Sequence, residues 1–483
     1  MNNRIQIERD NDTENILVQF ENEIKKKIFK DEFDELLTGI SNIYRIPTKT
    51  LKLKASQIIL NNYNFEKNSF ENIYIYSKIY LYFLISIFCL FIFNLLKTNY
   101  KFKEKYDLIL PDIEQKEQIL RLDKLFKEKR IFCIFKNSKI KNKIKNSLSN
   151  LNFHSIHSNL VRFDKENFID NKEIFRILHD TYKISKKNKI NYFFIINIIF
   201  LSIFKNLSIF KAFKSKYLLI DRFYSSCAIR DFYFKKNGGK FSMSTQKSLL
   251  ETSLTKYSIF DILFTLGEEK IIKEKLFNYA KIDRTYPIGS FFYEHRNTLN
   301  KISKKIEYEF DVVFLGINFT RSVFISNKVI DGYFKALHWL KQYSQKNPHL
   351  KIIVKHHDTS KVTNKEREIF KNSNIKFVEN SNFYGESYDY CYNSKIICSF
   401  GSALLLESSI FNKNIFFFNP HNLNKDFFEI QKFEEIQITN YDDMEKKFSG
   451  IFDGKNIDLN DTNKYCLKGN PTEKLIKFLD TNN

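Results

Sequence analysis

The hydrophobic pattern of this chain is a series of short apolar runs, each followed by a polar turn and then by a longer segment with helical spacing. Runs of about four to eight apolar residues between polar turns are typical of strands that are buried on both faces. The alternation therefore predicts parallel sheets with crossover helices. The runs are Asp107–Leu110, Ile131–Phe135, Tyr217–Ile220, Asp261–Thr265, Asp311–Leu315, Leu350–Val354, Ile375–Val378, Ile396–Cys398 and Ile415–Phe418.

The series is interrupted once, at Tyr286-Pro287-Ile288-Gly289-Ser290 and the charged stretch that follows it. This break predicts two α/β halves joined by a linker near 290–310. We expect a helical region over 1–105, a first α/β domain over 106–300 and a second over 301–425. A helical segment over 426–483 follows, and we expect its last helix, near Pro471–Leu479, to pack back on the first half.

Two longer apolar segments raise the question of a membrane. Ile79–Leu96 contains no charged residue and is followed by lysines. It lies at the lower limit of the length of about 20 residues that a spanning helix needs. We favour a helix over 79–96 that is buried or lies in the membrane interface, and keep a span as the alternative. Ile190–Phe204 is interrupted by Asn197 and Ser202, which predicts a core helix.

Composition narrows the class of protein. The chain has 483 residues and a formal net charge of +22, a balance that suits nucleic acid, an anionic membrane or acidic substrates. Abundant Lys, Asn, Ile and Phe also fit coding from an AT-rich genome, to which we attribute more than half of this charge. The 6 cysteines form no CxxC pair, and Met1–Asp12 does not resemble a signal peptide. We expect free thiols in a reducing cytoplasm.

The segment Lys395–Pro420 predicts a strand, a small-residue turn, a helix and a second strand. Such a turn lies at the carboxyl end of a strand, where open parallel sheets hold ligands. Ser399 begins the turn, Gly401 permits close approach of a ligand, and Ser402 can cap the helix. Glu407 then lies where a carboxylate can reach a ribose diol. An ordinary capped helix remains the other interpretation.

Two further strand ends carry polar residues. Lys355 and His357 follow a buried strand and share a face if the backbone stays extended, whereas His356 points the other way and packs. A Lys or His there can neutralise developing negative charge, although a solvated turn has the same pattern. Gly316, with Asn318 and Arg321 behind it, follows the first strand of the second half and can meet a phosphate.

In the first half, Asp221 and Arg222 follow the strand that ends at Ile220, and Gln246 follows a second polar segment. Asp221 is the carboxylate placed most directly behind a buried strand, so it is the candidate general base. A structural aspartate that caps the next segment is the competing interpretation.

The pattern K-x-H after a strand, then S-F-G-S-x-x-x-x-E, then an apolar strand ending in N-P resembles GT-B-type glycosyltransferases of bacterial capsule and lipopolysaccharide synthesis. The Kdo- and sialyltransferase group is the most similar. Asp358 stands where these enzymes often have proline, and Lys247 follows Gln246 where relatives often have His-Gly. The resemblance covers about 106–425. It implies an α/β fold with two Rossmann-like domains facing a central cleft, plus the extra N-terminal helical region.

The resemblance also implies roles for the residues. The donor, a nucleotide-activated sugar, would lie on the second half, with its phosphate at Lys355, His357 and Ser402 and its ribose at Glu407. Asp221 would deprotonate the acceptor hydroxyl, and Arg222 and Gln246 would lie on the acceptor side. The reaction would be inverting and independent of metal, and no cofactor is expected beyond the nucleotide-sugar substrate.

The expected acceptor is a glycan or lipid-linked molecule of a growing cell-surface polysaccharide. We expect cytoplasmic location with peripheral contact to the anionic inner membrane, and no nucleic-acid partner. The alternatives are a CDP-alditol phosphotransferase, a sugar-nucleotide epimerase on the same fold, and a polysaccharide-assembly protein without catalytic activity.

Overall fold

A computed structural model of the chain contains two parallel β-sheets, one in each half. The residues that the structure describes are 26–61, 63–64, 69–70, 83–84, 86, 97–98, 104–114, 117–147, 154–157, 163–164, 171–221, 227–246, 259–268, 281–294, 308–317, 327–357, 362–379, 386–400, 402–411, 414–421, 433–457, 466–467 and 469–482.

The described strands are β1 (Tyr63–Asn64), β2 (Ser69–Phe70), β3 (Lys97–Thr98), β4 (Glu104–Ile113), β5 (Ile131–Phe135), β6 (His154–His157), β7 (Phe163–Asp164), β8 (Phe213–Ile220), β9 (Phe241–Thr245), β10 (Ile259–Thr265), β11 (Lys281–Pro287), β12 (Phe310–Leu315), β13 (Ile352–Lys355), β14 (Lys376–Val378), β15 (Ser394–Ser399), β16 (Asn414–Phe418) and β17 (Gln437–Ile438).

The described helices are α1 (Lys26–Ile28), α2 (Asp31–Tyr44), α3 (Thr48–Asn61), α4 (Glu117–Leu120), α5 (Asp123–Glu128), α6 (Ser138–Ser147), α7 (Asn171–Asn188), α8 (Tyr192–Ala212), α9 (Ala228–Lys236), α10 (Asn327–Lys346), α11 (Asn364–Phe370), α12 (Glu386–Tyr392), α13 (Ala403–Glu407), α14 (Phe433–Ile436), α15 (Tyr441–Phe452) and α16 (Pro471–Thr481). A 3₁₀ turn, Ser408–Phe411, follows α13 directly.

The first sheet has the strand order β11-β10-β9-β8-β4-β5-β6, and its neighbouring strands pair in parallel. The chain starts in the middle at β4, builds outward to β6 and then returns to β8. The order therefore reverses between β4 and β8. In open α/β sheets this switch point opens the crevice that holds ligands, at the carboxyl ends of the strands.

The second sheet repeats this logic with the order β14-β13-β12-β15-β16-β17, again parallel throughout. Its switch point lies between β12 and β15. The α/β class is thus confirmed, with two parallel sheets that each have a crevice where the strand order reverses.

Each sheet is covered on both faces, which explains the continuous apolar runs. Along β12, Val312 and Phe314 pack into one cluster, whereas Val313 and Leu315 pack into the cluster on the opposite face. All four residues are almost fully buried. The first sheet likewise separates a cluster built with α2, α3, α7, α8 and α9 from one built with α4, α5, α6 and α16.

The helix α8 extends the apolar run that the sequence identified at 190–204. Among the described residues it is the one helix long and apolar enough to cross a membrane, and 61% of its most apolar window is buried inside the protein. Its residues Phe193, Ile196 and Ile203 lie in the core of the first half. The predicted core helix is confirmed. The segment Ile79–Leu96 lies almost wholly outside the described residues.

In the two parallel sheets the sequence pattern missed β6, β9 and β11, because these strands mix polar and apolar residues along their length. It also missed β17, which has only two residues, and it ended the second strand of the second half one residue early. The strand β13 begins at Ile352 and includes Lys355 as its last residue, so this lysine belongs to the sheet.

The C-terminal helix α16 packs on the first half. Leu475 and Leu479 are buried in the cluster beneath the first sheet. The hydroxyl of Tyr217 on β8 donates to the carbonyl oxygen of Leu479 at 3.2 Å. At the start of the helix, the backbone N–H of Thr472 donates to the Glu294 carboxylate at 3.1 Å. The chain therefore crosses from the second half back to the first before it ends.

Candidate functional site

The switch point of the second sheet brings together three of the segments selected from sequence. Leu315 pairs with Lys355 on one side and with Ser399 on the other. Gly316 follows immediately, and its backbone N–H donates to the carbonyl oxygen of Lys355 at 2.8 Å. A Cβ at Gly316 would lie 3.1 Å from that oxygen and 3.2 Å from the His357 nitrogen. Glycine is therefore required for this close approach.

The two serines of the turn shape the backbone. The Ser399 hydroxyl donates to the carbonyl oxygen of Leu315 at 3.0 Å and accepts the Ser402 N–H at 2.9 Å. The Ser402 hydroxyl in turn accepts the Leu404 N–H at 3.3 Å, as expected for a helix cap. Both N–H groups are thus already bonded, and α13 is short. Any anion here depends on side chains more than on a helix terminus.

The three residues at the end of β13 have three different environments. Lys355 is 1% exposed, and its ammonium donates to the carbonyl oxygen of His356 at 3.0 Å and lies 3.9 Å from the Glu386 carboxylate. His356 is fully buried, with Nδ1 2.9 Å from Glu366 Oε1. His357 is half-buried beside Gly316. The packing role expected of His356 follows from the alternation of side chains along the strand.

Glu407 lies at the end of α13 and is 4% exposed. Its Oε2 atom accepts the Ser290 hydroxyl at 2.9 Å and the Tyr388 hydroxyl at 2.6 Å. Ser290 belongs to the segment that leaves the first sheet, so this carboxylate joins the two halves as well as lying beside the second crevice.

At the switch point of the first sheet, Asp221 follows β8 directly. The guanidinium of Arg121 forms an ion pair with its carboxylate, and the Gln118 amide donates to Oδ2 at 2.7 Å. The Thr245 hydroxyl donates to the Asp221 carbonyl oxygen at 2.6 Å. These residues line one pocket with Pro111 and Phe291. The aspartate lies where the sequence predicted, and its carboxylate must release a partner before it can accept a proton.

Gln246 lies further from this switch point, after β9. It is buried, and its Oε1 atom accepts the backbone N–H of Leu266 at 3.0 Å. This bond ties the ends of β9 and β10 together. Four predicted site residues lie outside the described residues, and they are Arg222, Asn318, Arg321 and Gly401.

A line of contacts connects the two switch points. Arg121 lies over the ring of Phe292, with 4.7 Å between its guanidinium carbon and the ring centroid. Phe292 stacks on Tyr388 at 5.8 Å between centroids, and Tyr388 donates to Glu407. The contacts thus run without a break from the first switch point to the second. We call this connection between the two halves the joint, and it consists of Asp221, Arg121, Phe292, Tyr388 and Glu407.

Sequence reasoning missed Gln118, Arg121, Ser290, Phe292 and Tyr388. They lie on short helices, in the turn between α4 and α5 or in the linker, and of the five only Ser290 follows a strand end and a glycine. The one signal was the break at Tyr286–Ser290, which placed the linker without revealing its contacts.

The described groups suit the binding of an anion and the transfer of a proton. At the second crevice His357 is a half-buried, proton-bearing group, whereas the Lys355 ammonium is buried and already has Glu386 and a backbone carbonyl as partners. At the first crevice Asp221 and Arg121 supply an ion pair. Within the described residues, no group of three or more His, Cys, Asp or Glu side chains is placed to hold a metal ion.

No protein-family model and no curated protein sequence matches the chain. Among solved structures it is similar to UDP-GlcNAc 2-epimerase from Neisseria meningitidis bound to UDP-GlcNAc, with 10% identity over 78% of this chain and 100% of that one and a TM-score of 0.46. It is also similar to the Methanocaldococcus jannaschii UDP-GlcNAc 2-epimerase in complex with UDP-GlcNAc and UDP, with 14% identity over 78% and 100% and a TM-score of 0.44.

A third similar structure is that of the wall teichoic acid polymerase TagF, with 11% identity over 94% of this chain and 98% of that one and a TM-score of 0.40. Because these identities and TM-scores are low, the function of the present chain has to be argued from its own residues.

Proposed function

We propose that this protein is a glycosyltransferase that transfers a sugar from a nucleotide-activated donor to a growing cell-surface polysaccharide, of the capsule or lipopolysaccharide kind. The observation that carries the proposal is the pair of switch points, each with chemistry at the carboxyl ends of its strands and both connected through one joint. A transferase needs two such places, one for the donor and one for the acceptor.

The donor belongs on the second half. Gly316 lets the end of β12 pack closely on the backbone of Lys355 and His357. The ammonium of Lys355 and the imidazole of His357 are the groups that would offset the charge of a donor phosphate at this strand end. The Ser402 hydroxyl borders the same edge. Glu407 lies beside it and is the candidate for the ribose diol, with one oxygen oriented by Ser290 and Tyr388.

The acceptor belongs on the first half. Asp221 is the candidate general base. After it has passed the proton on, its carboxylate returns to the ion pair with Arg121. When an acceptor hydroxyl enters the pocket it can displace the Gln118 amide from Oδ2 and offer its own proton there. Direct displacement at the donor by this activated hydroxyl gives inversion.

Two other enzymes fit the same residues. A phosphotransferase with a CDP-activated alditol would use the same cations at the second crevice, and a sugar-nucleotide epimerase would use that crevice alone. A polysaccharide-assembly protein without catalysis would keep the sheets and lose the nucleotide. The Asp221 pocket on the first half favours a transferase over an epimerase, since an epimerase needs no acceptor base.

A thermal-shift screen with CMP, CDP, UDP and GDP tests the proposal. We expect one nucleotide to raise the melting temperature of the wild type. We expect Gly316→Ala to weaken this response, because the added methyl group crowds Lys355 and His357. Gly39→Ala is the matched control, since a Cβ at Gly39 meets nothing within 4 Å. Silence with all four nucleotides would favour the assembly protein, and a response independent of Gly316 would move the donor elsewhere.

The proposed location is the cytoplasmic face of the inner membrane, with peripheral attachment by the basic surface. The net charge of +22 supports this attachment to anionic lipid. High salt or alkaline carbonate should then release the protein from isolated membranes. If only detergent extracts it, a segment such as Ile79–Leu96 spans the bilayer.

A further inference from the structure

A second cavity, of about 580 Å³, opens in the first half on the other side of β4 from the Asp221 carboxylate pocket. Five elements line it, namely α3, the ends of β4 and β5, α8, and the start of α9. Pro111 borders both this cavity and the Asp221 pocket. The cavity therefore lies beside the proposed acceptor site, and the helix α3 from the N-terminal region closes it.

The polar part of the lining is dominated by cations. Lys54, Lys136, Lys205 and Arg230 face two carboxylates, Asp112 and Glu114. Arg230 and Lys205 share Asp112, and Lys136 lies 3.0 Å from Glu114. In the described part of the chain Lys54 forms no hydrogen bond or ion pair, so the lining keeps an excess of positive charge.

The pKa values of two neighbouring groups reflect the positive potential that these cations create. Burial alone would raise the pKa of Asp112, but Arg230 and Lys205 lower it to about 2. Burial also acts to raise the pKa of the Cys227 thiol, yet Lys54 and Arg230 bring it below its ordinary value. The positive potential thus extends across the cavity from α3 to α9, at a place large enough for a ligand.

The remaining wall of the cavity is apolar. It is formed mainly by the helix α8 and β5, through Ile134, Ile198, Leu201, Ile209 and Phe210. Leu201 is 46% exposed, so part of this apolar wall is open to a ligand. A ligand that satisfies both walls has an anionic group and an adjoining hydrocarbon segment.

We propose that this cavity binds the phosphate group of an acceptor that carries an apolar segment, with Lys54 as the cation that the phosphate engages. That the phosphate belongs to an acceptor rests on the proposed function, because the cavity adjoins the Asp221 pocket. The phosphate site itself stands on the lining and does not depend on that function. The apolar segment would lie along α8, and the part of the acceptor to be glycosylated would point past Pro111 towards Asp221.

The thiol of Cys227 lines the cavity and provides a site-specific probe. The other described cysteines, Cys133, Cys391, Cys398 and Cys466, are buried. In the full-length protein, alkylation of Cys227 by iodoacetamide can be followed by peptide mass spectrometry in the presence of inorganic phosphate or decyl phosphate. We expect decyl phosphate to slow alkylation at concentrations where inorganic phosphate has little effect.

The variant Lys54→Gln should raise the decyl phosphate concentration needed for half-protection about tenfold, as loss of one hydrogen bond to a charged group typically does. Because the variant also changes the thiol, protection is expressed as the ratio of rates with and without ligand for each protein. Lys49→Gln removes an equal charge from an exposed position on the same helix and should leave the ratio unchanged.

Absence of protection by either compound would overturn the site. Equal protection by both compounds would overturn the apolar part of the proposal. An equal loss of protection in Lys54→Gln and Lys49→Gln would mean that Lys54 contributes only net charge and does not contact the phosphate. Nucleotide binding is measured separately, at the second half. Binding of decyl phosphate without binding of a nucleotide would support this site and contradict the proposed function. Binding of a nucleotide without binding of decyl phosphate would support the proposed function and contradict this site.

Discussion

At the scale of the residue, the end of β13 places three consecutive side chains in different environments. His356 is buried against Glu366, and Lys355 is buried as well, with its ammonium 3.9 Å from Glu386. His357 alone of the three is half-buried, so the alternation along the strand does not by itself separate Lys355 from His356. What the alternation leaves open is the chemistry of each, because that depends on partners from α11 and α12.

The roles proposed for His357 and Glu407 differ in the kinetic step that they affect. If His357 stabilises charge on the departing phosphate, His357→Ala should lower kcat about a hundred- to a thousandfold, as loss of one preorganised donor typically does. If Glu407 holds the ribose, Glu407→Gln should chiefly raise the donor KM, because it removes uniform binding. Steady-state kinetics with varied donor separates the two.

Tyr388→Phe is the control for Glu407, since it removes one hydroxyl donor and leaves the carboxylate in place. It should raise the donor KM less than Glu407→Gln does. If the two variants behave alike, Glu407 acts through the joint and does not bind the ribose. Normal turnover by folded His357→Ala would remove that histidine from the reaction.

The buried pair His356–Glu366 predicts a pH dependence of stability. Burial acts to raise the pKa of Glu366, but hydrogen bonds from His356 and Thr363 lower it overall, below its ordinary value of 4.5. The folded state thus favours the charged form. Its stabilising contribution is fully present above about pH 4.5 and is lost as pH falls through the lowered value.

Urea unfolding at pH 7 and pH 4 measures this effect, with Glu366→Gln as the comparison. The variant should be less stable at pH 7, since the Tyr333 and Thr363 hydroxyls also donate to this carboxylate. It should also lose less stability than the wild type on going to pH 4. An equal loss in both proteins would assign the acid sensitivity to other groups.

At the scale of the element, α16 shows how a helix far along the chain completes an early core. Leu475 and Leu479 fill the cluster beneath the first sheet, and Tyr217 binds the helix end. The amphipathic spacing of the helix was visible in the sequence. Its packing on the first half was predicted, but the face of the sheet was not, because nothing in the helix states which of the two apolar faces it covers.

Leu475→Ala should lower the free energy of unfolding by about 2–5 kcal/mol, as expected for a buried leucine replaced by alanine. Lys477→Ala, on the exposed side of the same helix, should change it by less than about 0.5 kcal/mol. Chemical denaturation of both variants measures the difference. Equal stability of the two would mean that α16 does not pack on the first half in solution.

At the scale of the whole molecule, the two crevices are connected through side chains of the joint. Phe292 lies between Arg121 of the first half and Tyr388 of the second. Ser290 from the linker reaches Glu407, and Glu294 reaches the start of α16. The joint therefore holds the two halves at a defined separation while leaving each sheet complete.

Phe292→Ala should lower kcat with little change in the affinity for nucleotide, because in the proposed function the nucleotide binds to one half and the transfer needs both. We expect a loss of up to about a hundredfold in kcat, since a misalignment of about 1 Å can have an effect of that size. Calorimetric titration with the nucleotide and steady-state kinetics measure the two quantities. Phe292→Tyr keeps the ring and should retain most of the activity. A parallel loss of nucleotide affinity would place Phe292 in the donor site.

By itself, the sequence determined the α/β class, most strands of both sheets and the strand ends that carry Gly316, Lys355, Ser399 and Asp221. It could do so because burial on two faces leaves a local record, as an apolar run followed by a polar turn. The strands β6, β9 and β11 were missed, since mixed polar and apolar residues leave no such record, and β17 was missed because it has only two residues.

Only the tertiary structure decided which strand ends meet. Strand order is a matter of long-range pairing, so nothing local to β12 states that β15 lies beside it. The same holds for the partners of Asp221 and Glu407, which come from a short helix and from the linker. These side chains form a site only when folding brings distant segments together, and burial of the whole core supplies the free energy for that folding.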